Sequence, residues 1–168
     1  GAFNRMSQLT KEELSKGVIA SSAGNHAQGV ALSASFLKCR AVIVMPLTTP
    51  IMKVRAVESL KAEVILFGET YDECYEKALE ISKAENLTFI HPFDDPEVIA
   101  GQGTIGVEIL RQSQTSLDAI YIAVGGGGLI AGVSAYIKAI WPDIKIVGVE
   151  PEDACAMTLS LKANKPVE

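Results

Sequence analysis

The chain has 168 residues, 48% of them apolar and 21% charged, with a formal net charge of −5. That composition builds a core and excludes a disordered chain. Its lysines and arginines are scattered, so it lacks the clustered positive field of a nucleic-acid surface, and no stretch reaches the ~20 apolar residues of a membrane span. Neither a nucleic acid nor a membrane is an expected partner.

Cys39, Cys74 and Cys155 are far apart, odd in number and form no CxxC pair. This argues against a disulfide framework and against structural zinc, so no metal site is expected. It favours a reducing, intracellular setting: the cytoplasm, or a plastid or mitochondrion in a eukaryote. No signal or transit segment is visible, but the chain opens on Gly1 and not on Met, so residues upstream are expected.

In chain order, the first apolar run is Gly17–Ala20, read as a strand. The small, polar turn Ser21-Ser22-Ala23-Gly24-Asn25-His26 follows it and leads into a helix starting near Asn25. A second strand is Ala41–Met45, continuous in apolar residues as in a sheet buried on both faces. Pro50 then opens a helix over 51–61, where a proline is tolerated in the first turn. The run Glu63–Phe67 is a third strand. Tyr71, Cys74, Tyr75, Ala78 and Leu79 share one helical face, and Leu87–Ile90 is a fourth strand. These four strands recur at the spacing of βαβ units.

His91-Pro92-Phe93-Asp94-Asp95-Pro96 breaks both helix and strand and is the best lobe boundary. Beyond it come a strand at Ala119–Val124, the turn Gly125-Gly126-Gly127-Gly128-Leu129, and a helix over 129–141 with Ile130, Val133, Ile137 and Ile140 on one face, ended by Pro142. A strand at Lys145–Val149 follows. The pattern is α/β with parallel sheets.

Ligands of open α/β sheets bind beyond the carboxyl ends of strands, and two turns there have unusual composition. In 21–26, small residues let backbone amides face outward, and the helix start favours an anion such as a carboxylate. An ordinary helix cap by Ser or Asn, and a structural role for His26, are the plainer alternatives. In 125–128, four consecutive glycines cost backbone entropy without a packing use and suit close approach of a phosphate. Gly126, Gly128 and Ala131 also satisfy G-x-G-x-x-G/A, with Glu150 placed for a ribose, so an NAD-type dinucleotide domain is an alternative. No Lys-Ser or Lys-Thr follows the glycines, which excludes a Walker loop.

Three segments together carry a resemblance. Ser22-Ala23-Gly24-Asn25-His26-Ala27-Gln28-Gly29 resembles the asparagine loop of threonine dehydratases. Asp95-Pro96-Glu97-Val98-Ile99-Ala100-Gly101-Gln102-Gly103-Thr104 is similar to a second signature of that group, and Val124-Gly125-Gly126-Gly127-Gly128-Leu129-Ile130-Ala131-Gly132 to its phosphate cup. The similarity covers the whole chain. It implies a fold-type-II pyridoxal 5'-phosphate enzyme with two parallel-sheet lobes of the tryptophan-synthase-beta-like kind. Residues 1–14 would be a helix of the large lobe, 15–92 the small lobe with the asparagine loop, and 93–168 part of the large, cofactor-binding lobe, which is left incomplete.

The resemblance also implies roles. Asn25 would bond the phenolic oxygen of the cofactor ring. Gly125, Gly126, Gly127 and Gly128, with the amide of Leu129, would hold its phosphate. Ser22, Ala23, Gly24 and the backbone near His26 would take the substrate carboxylate. The implied reaction is loss of water from L-threonine, the product hydrolysing to 2-oxobutanoate and ammonia, as in isoleucine biosynthesis, with L-serine to pyruvate as a side activity. A homo-oligomer, dimer or tetramer, is implied for the full-length protein.

The family's cofactor-bearing lysine lies in Ser-Phe-Lys-x-Arg-Gly-Ala, and Gly1-Ala2 matches only the end of that motif. No catalytic residue is therefore expected within the chain, and the chain alone should be inactive. Serine racemases and serine dehydratases of the same fold are the nearest alternative. Racemases carry a second serine just before Gly-Asn, where this chain has Ala23, and a methyl group cannot deliver a proton to the opposite ring face.

Overall fold

The structure, a computed structural model, describes residues 1–167. It divides into two compact units, Gly1–Pro92 and Phe93 onward. No helix among the described residues is long and apolar enough to cross a membrane.

The first unit runs α1 (Ala2–Ser7), α2 (Lys11–Lys16), β1 (Val18–Ser21), α3 (Asn25–Leu37), β2 (Ala41–Met45), α4 (Ile51–Ser59), β3 (Glu63–Leu66), α5 (Tyr71–Glu85) and β4 (Thr88–Phe89). The four strands make one parallel sheet in the order β3-β2-β1-β4. All four expected strands are present, although β4 pairs through Val18↔Thr88 and Ile19↔Phe89 alone.

The sheet is buried on both faces, which explains the apolar runs of its two central strands. Val18, Ala20, Ala41, Ile43 and Met45 point into a core shared with Val30 of α3 and Val54 and Val57 of α4. Ile19, Val42 and Val44 point the other way, to Cys74 and Ala78 of α5. Met6, Ile19, Ile43 and Met45 are fully buried, each contributing about 1.5–3 kcal/mol relative to exposure. The chain winds outward through β1, β2 and β3, then crosses to the other face with α5 and returns beside β1 as β4. Winding direction therefore reverses between β1 and β4.

Residues 1–14, expected as one large-lobe helix, form α1 and the start of α2. Thr10 separates them, its side chain accepting from the Glu13 amide in a capping box. Ala2 and Met6 of α1 pack in the core that holds Ala27 and Val30 of α3. At the sheet's amino edge, Arg40 ties β3 and α5 together through Glu63 at 2.7 Å and Glu85 at 2.6 Å.

The second unit contains α6 (Pro96–Gln112), β5 (Ala119–Ala123), α7 (Gly128–Ile140), β6 (Lys145–Val149) and α8 (Ala156–Ala163). β5 and β6 pair in parallel. Ile122, Val133, Ile137 and Ile144 form the core, with Ile120 and Ile146 from the strands and Ile109 and Leu110 from α6 around it. The opposite sheet face is bare, with Tyr121 71% exposed. The sequence patterning above does not delimit α6; Asp95, read as a breaker, is its N-cap, accepting from the amides of Glu97 and Val98.

α6 and α7 cross at glycines. A Cβ on Gly132 would stand 2.1 Å from the Ile99 carbonyl oxygen and 2.8 Å from the Gly103 nitrogen. Both are backbone atoms and cannot rotate away. Gly132→Ala must push the helices apart, at a cost of about 1–3 kcal/mol. Thermal melting should show a lower Tm for Gly132→Ala and almost no change for Gly125→Ala, since nothing lies within 4 Å of a Cβ at Gly125. Equal melting of both variants would contradict the close crossing.

Candidate active site

The asparagine loop leaves the sheet where winding direction reverses. β1 ends at Ser21 and α3 begins at Asn25. The Ser22 amide still bonds the Val44 carbonyl at 3.1 Å, and the Gly24 amide bonds Ser22 Oγ at 3.2 Å. Asn25 is exposed, while Ser22, Ala23, Gly24 and His26 are half-buried.

Gly24, the N-cap of α3, supplies no side-chain cap, and the first-turn bond from Gln28 N–H to Gly24 O is long at 3.4 Å. Elsewhere Thr10, Thr70 and Asp95 cap α2, α5 and α6 with side-chain oxygens. The start of α3 thus keeps its orphan amides and partial positive charge for another acceptor. The ordinary Ser or Asn cap considered from sequence does not occur at this helix.

The His26 ring does not point into the loop. Its Nε2 sits 3.0 Å from the Ile90 carbonyl oxygen, just past β4, and must carry the proton to bond it. Burial pushes the imidazole pKa below its ordinary value. The Ile90 hydrogen bond opposes this, and the charge of His91 adds to the lowering.

The glycine turn leaves β5 of the second unit. Val124 N–H bonds the Val149 carbonyl at 2.9 Å, and Gly127 turns into α7 with φ of 88°. Packing accounts for more of this turn than its composition suggests. A Cβ on Gly126 would lie 2.2 Å from the Phe93 ring, and one on Gly128 would lie 2.7 Å from the Phe93 carbonyl oxygen. Gly126 and Gly128 therefore have a packing use, which corrects the expectation that the four glycines have none. The positive φ of Gly127 and the open backbone of Gly125 remain. α7 has no side-chain cap, and its first α-helical bond at this end is Ala131 N–H to Gly127 O, leaving the amides of Gly128 and Leu129 outside the helical ladder. A glycine turn without a side-chain carboxylate, opening an uncapped helix, fits a phosphate.

Glu150 does not fit a ribose. Its carboxylate accepts from the Met157 amide at 3.0 Å, the Thr158 amide at 2.8 Å and Thr158 Oγ1 at 2.6 Å. The Thr158 hydroxyl bond, with those amides, holds its pKa below the ordinary value. It caps α8, as an acidic group at a helix start should. A hollow of about 350 Å³ between Asp118 and Trp141 lies at the amino ends of β5 and β6, the wrong edge of a parallel sheet for a ligand.

The family model for pyridoxal-phosphate-dependent enzymes matches residues 1–168. The chain belongs to that family. It is 62% identical over 161 residues to the chloroplastic biosynthetic threonine dehydratase of Arabidopsis thaliana, covering 96% of this chain and 27% of that protein. It is 55% identical over 171 residues to the biosynthetic L-threonine dehydratase of Burkholderia multivorans, covering 100% of this chain and 34% of that one. The chain thus spans about a third or less of these relatives. Processed threonine deaminase isoform 2 from Solanum lycopersicum superposes with a TM-score of 0.92 at 56% identity, over 99% of this chain and 48% of that one. Maize serine racemase superposes equally well, at 0.92, with 35% identity over 99% and 50% of the two chains. The fold is the α/β, parallel-sheet architecture of fold-type-II enzymes, as the motifs implied, and the cofactor of the family is pyridoxal phosphate.

The lowered pKa of His26 has a stability consequence. A base whose folded pKa is depressed binds its proton better unfolded. The stability from keeping His26 neutral is complete above about pH 6.5 and is lost as the pH falls through the depressed folded value. Urea midpoints compared between pH 7.5 and 5 should therefore drop further for the unsubstituted protein than for His26→Gln. Parallel drops would mean that His26 titrates as an exposed imidazole.

Proposed function

We propose that the protein containing this chain converts L-threonine to 2-oxobutanoate and ammonia, with L-serine to pyruvate as a slower reaction, in the biosynthetic direction that leads to isoleucine. The observation that carries this reading is the uncapped start of α3 at the reversal between β1 and β4, with Ala23 in the loop before it. The identity to biosynthetic threonine dehydratases supports it.

In this reading Ser22, Ala23, Gly24 and the backbone at His26 take the substrate carboxylate, which the helix start favours electrostatically. Asn25 bonds the phenolic oxygen of the cofactor, and Gly125 to Gly128 with the Leu129 amide hold its phosphate. Pyridoxal phosphate, when bound, supplies the electron sink for charge developing at Cα. The residues 15–92 form the small lobe and 93–168 part of the large one, with the cofactor-bearing lysine upstream of Gly1. The full-length enzyme is a homo-oligomer in the cytoplasm, or in a plastid or mitochondrion.

The likeness to maize serine racemase favours a second reading, racemisation of serine. Ala23 separates the two, because proton transfer on the opposite ring face needs a donor there and a methyl group has none. The full-length enzyme should give 2-oxobutanoate from L-threonine and almost no D-serine from L-serine, and this 168-residue chain alone should give neither. Ala23→Ser should raise the racemisation-to-elimination ratio, by up to about 10²-fold, the low end of general acid–base contributions. Abundant D-serine from the unsubstituted enzyme would overturn the assignment.

A further inference from the structure

The asparagine loop has little of its own to hold it. Its helix is uncapped, its first-turn bond is long, and its internal side-chain tie is the Ser22 hydroxyl to the Gly24 amide at 3.2 Å. A loop that keeps its amides for a ligand cannot use those same amides to brace itself. The brace must come from another element.

We infer that His26 is a positioning residue: its imidazole, bonded to the Ile90 carbonyl, holds the first turn of α3 so that the loop amides face the substrate carboxylate. This rests on the threonine dehydratase reading for the identity of that substrate. The geometry follows from topology. α3 descends from β1, and Ile90 ends the run that contains β4, the two strands between which winding reverses. The ring spans that gap at 3.0 Å, and Ile90 is itself locked, fully buried and with its amide on the Ile19 carbonyl at 2.9 Å. β1, already fixed between β2 and β4, is thereby linked through β4 to the helix that carries the loop. The ring is turned to Ile90 and away from the loop, so His26 presents only backbone to a ligand. Glutamine places an amide N–H at the reach of Nε2, whereas leucine fills the volume without a donor.

The test uses the full-length, cofactor-loaded enzyme as wild type, His26→Leu and His26→Gln. The probe is unreactive L-2-aminobutanoate, whose dissociation constant is read from the cofactor absorbance, alongside KM and kcat for threonine and the melting temperature. Loss of one such hydrogen bond corresponds to a weakening on the order of tenfold. His26→Leu should weaken the probe by that factor and raise KM similarly, with kcat less affected, and His26→Gln should stay within about twofold of wild type. A lower Tm in His26→Leu with unchanged probe affinity would make the bond purely structural and overturn the proposal. If His26→Leu does not fold, His26→Gln decides: tenfold weaker binding at an unchanged Tm would overturn the proposal, and wild-type binding would support it. Nitrogen NMR of labelled histidine gives an independent check, since the bond requires Nε2–H, and a neutral Nδ1–H tautomer would also overturn it. The functional reading fails separately, if the unsubstituted enzyme releases no 2-oxobutanoate from threonine.

Discussion

A helix that begins at the carboxyl edge of a parallel sheet points several unsatisfied amides, and the positive end of its dipole, at whatever lies beyond that edge. Most helix starts neutralise this locally. Here Thr10, Thr70 and Asp95 do so for three helices, and the Glu150 carboxylate does so for α8 from outside the helix. The starts of α3 and α7 are left without a side-chain cap, as are those of α1 and α4. α3 and α7 follow strands of parallel sheets and are preceded by small residues, an arrangement that favours an anion electrostatically. A carboxylate and a phosphate are the two anions that a pyridoxal-phosphate enzyme acting on an amino acid must hold. The functional reading depends on this shared constraint more than on any single side chain.

Much of this was legible from residue order, for physical reasons. β1 and β2 are buried on both faces, so they are written as unbroken apolar runs. α5 is half-exposed and shows a helical stripe through Cys74 and Ala78. β4 was legible as an element but shorter than its apolar run, because it pairs with β1 over two residues and Ile90 already serves as an anchor beyond the ladder. α6 was hidden. Its interior contains Gly101, Gly103 and Gly106, which lower helix propensity, while Gly103 and Gly106 admit the close approach of α7. Tertiary packing, invisible to local pattern, decided that segment.

The sites divide in the same way. Composition located both turns but gave an incomplete reason for the second, since Gly126 and Gly128 are also required by Phe93. No periodicity marks Phe93, which lies among prolines and aspartates that read only as a boundary. Glu150 shows the converse: its spacing from the glycines suits a ribose, yet three hydrogen bonds commit it to α8. His26 could be located from the loop motif, but the direction of its ring depends on the strand order, since Ile90 is 64 residues away in sequence.

The uncapped starts of α3 and α7 are proposed as the anion sites of one enzyme. Amide hydrogen exchange of the full-length protein, with its cofactor, measured before and after saturation with L-2-aminobutanoate and compared with the cofactor-depleted form, tests it most directly. Cofactor should slow exchange at Gly125–Leu129, and the amino acid should then slow it at Ser22–His26. Protection concentrated instead at the amino ends of the second sheet, around Asp118 and Trp141, with the two loops unchanged, would contradict the account.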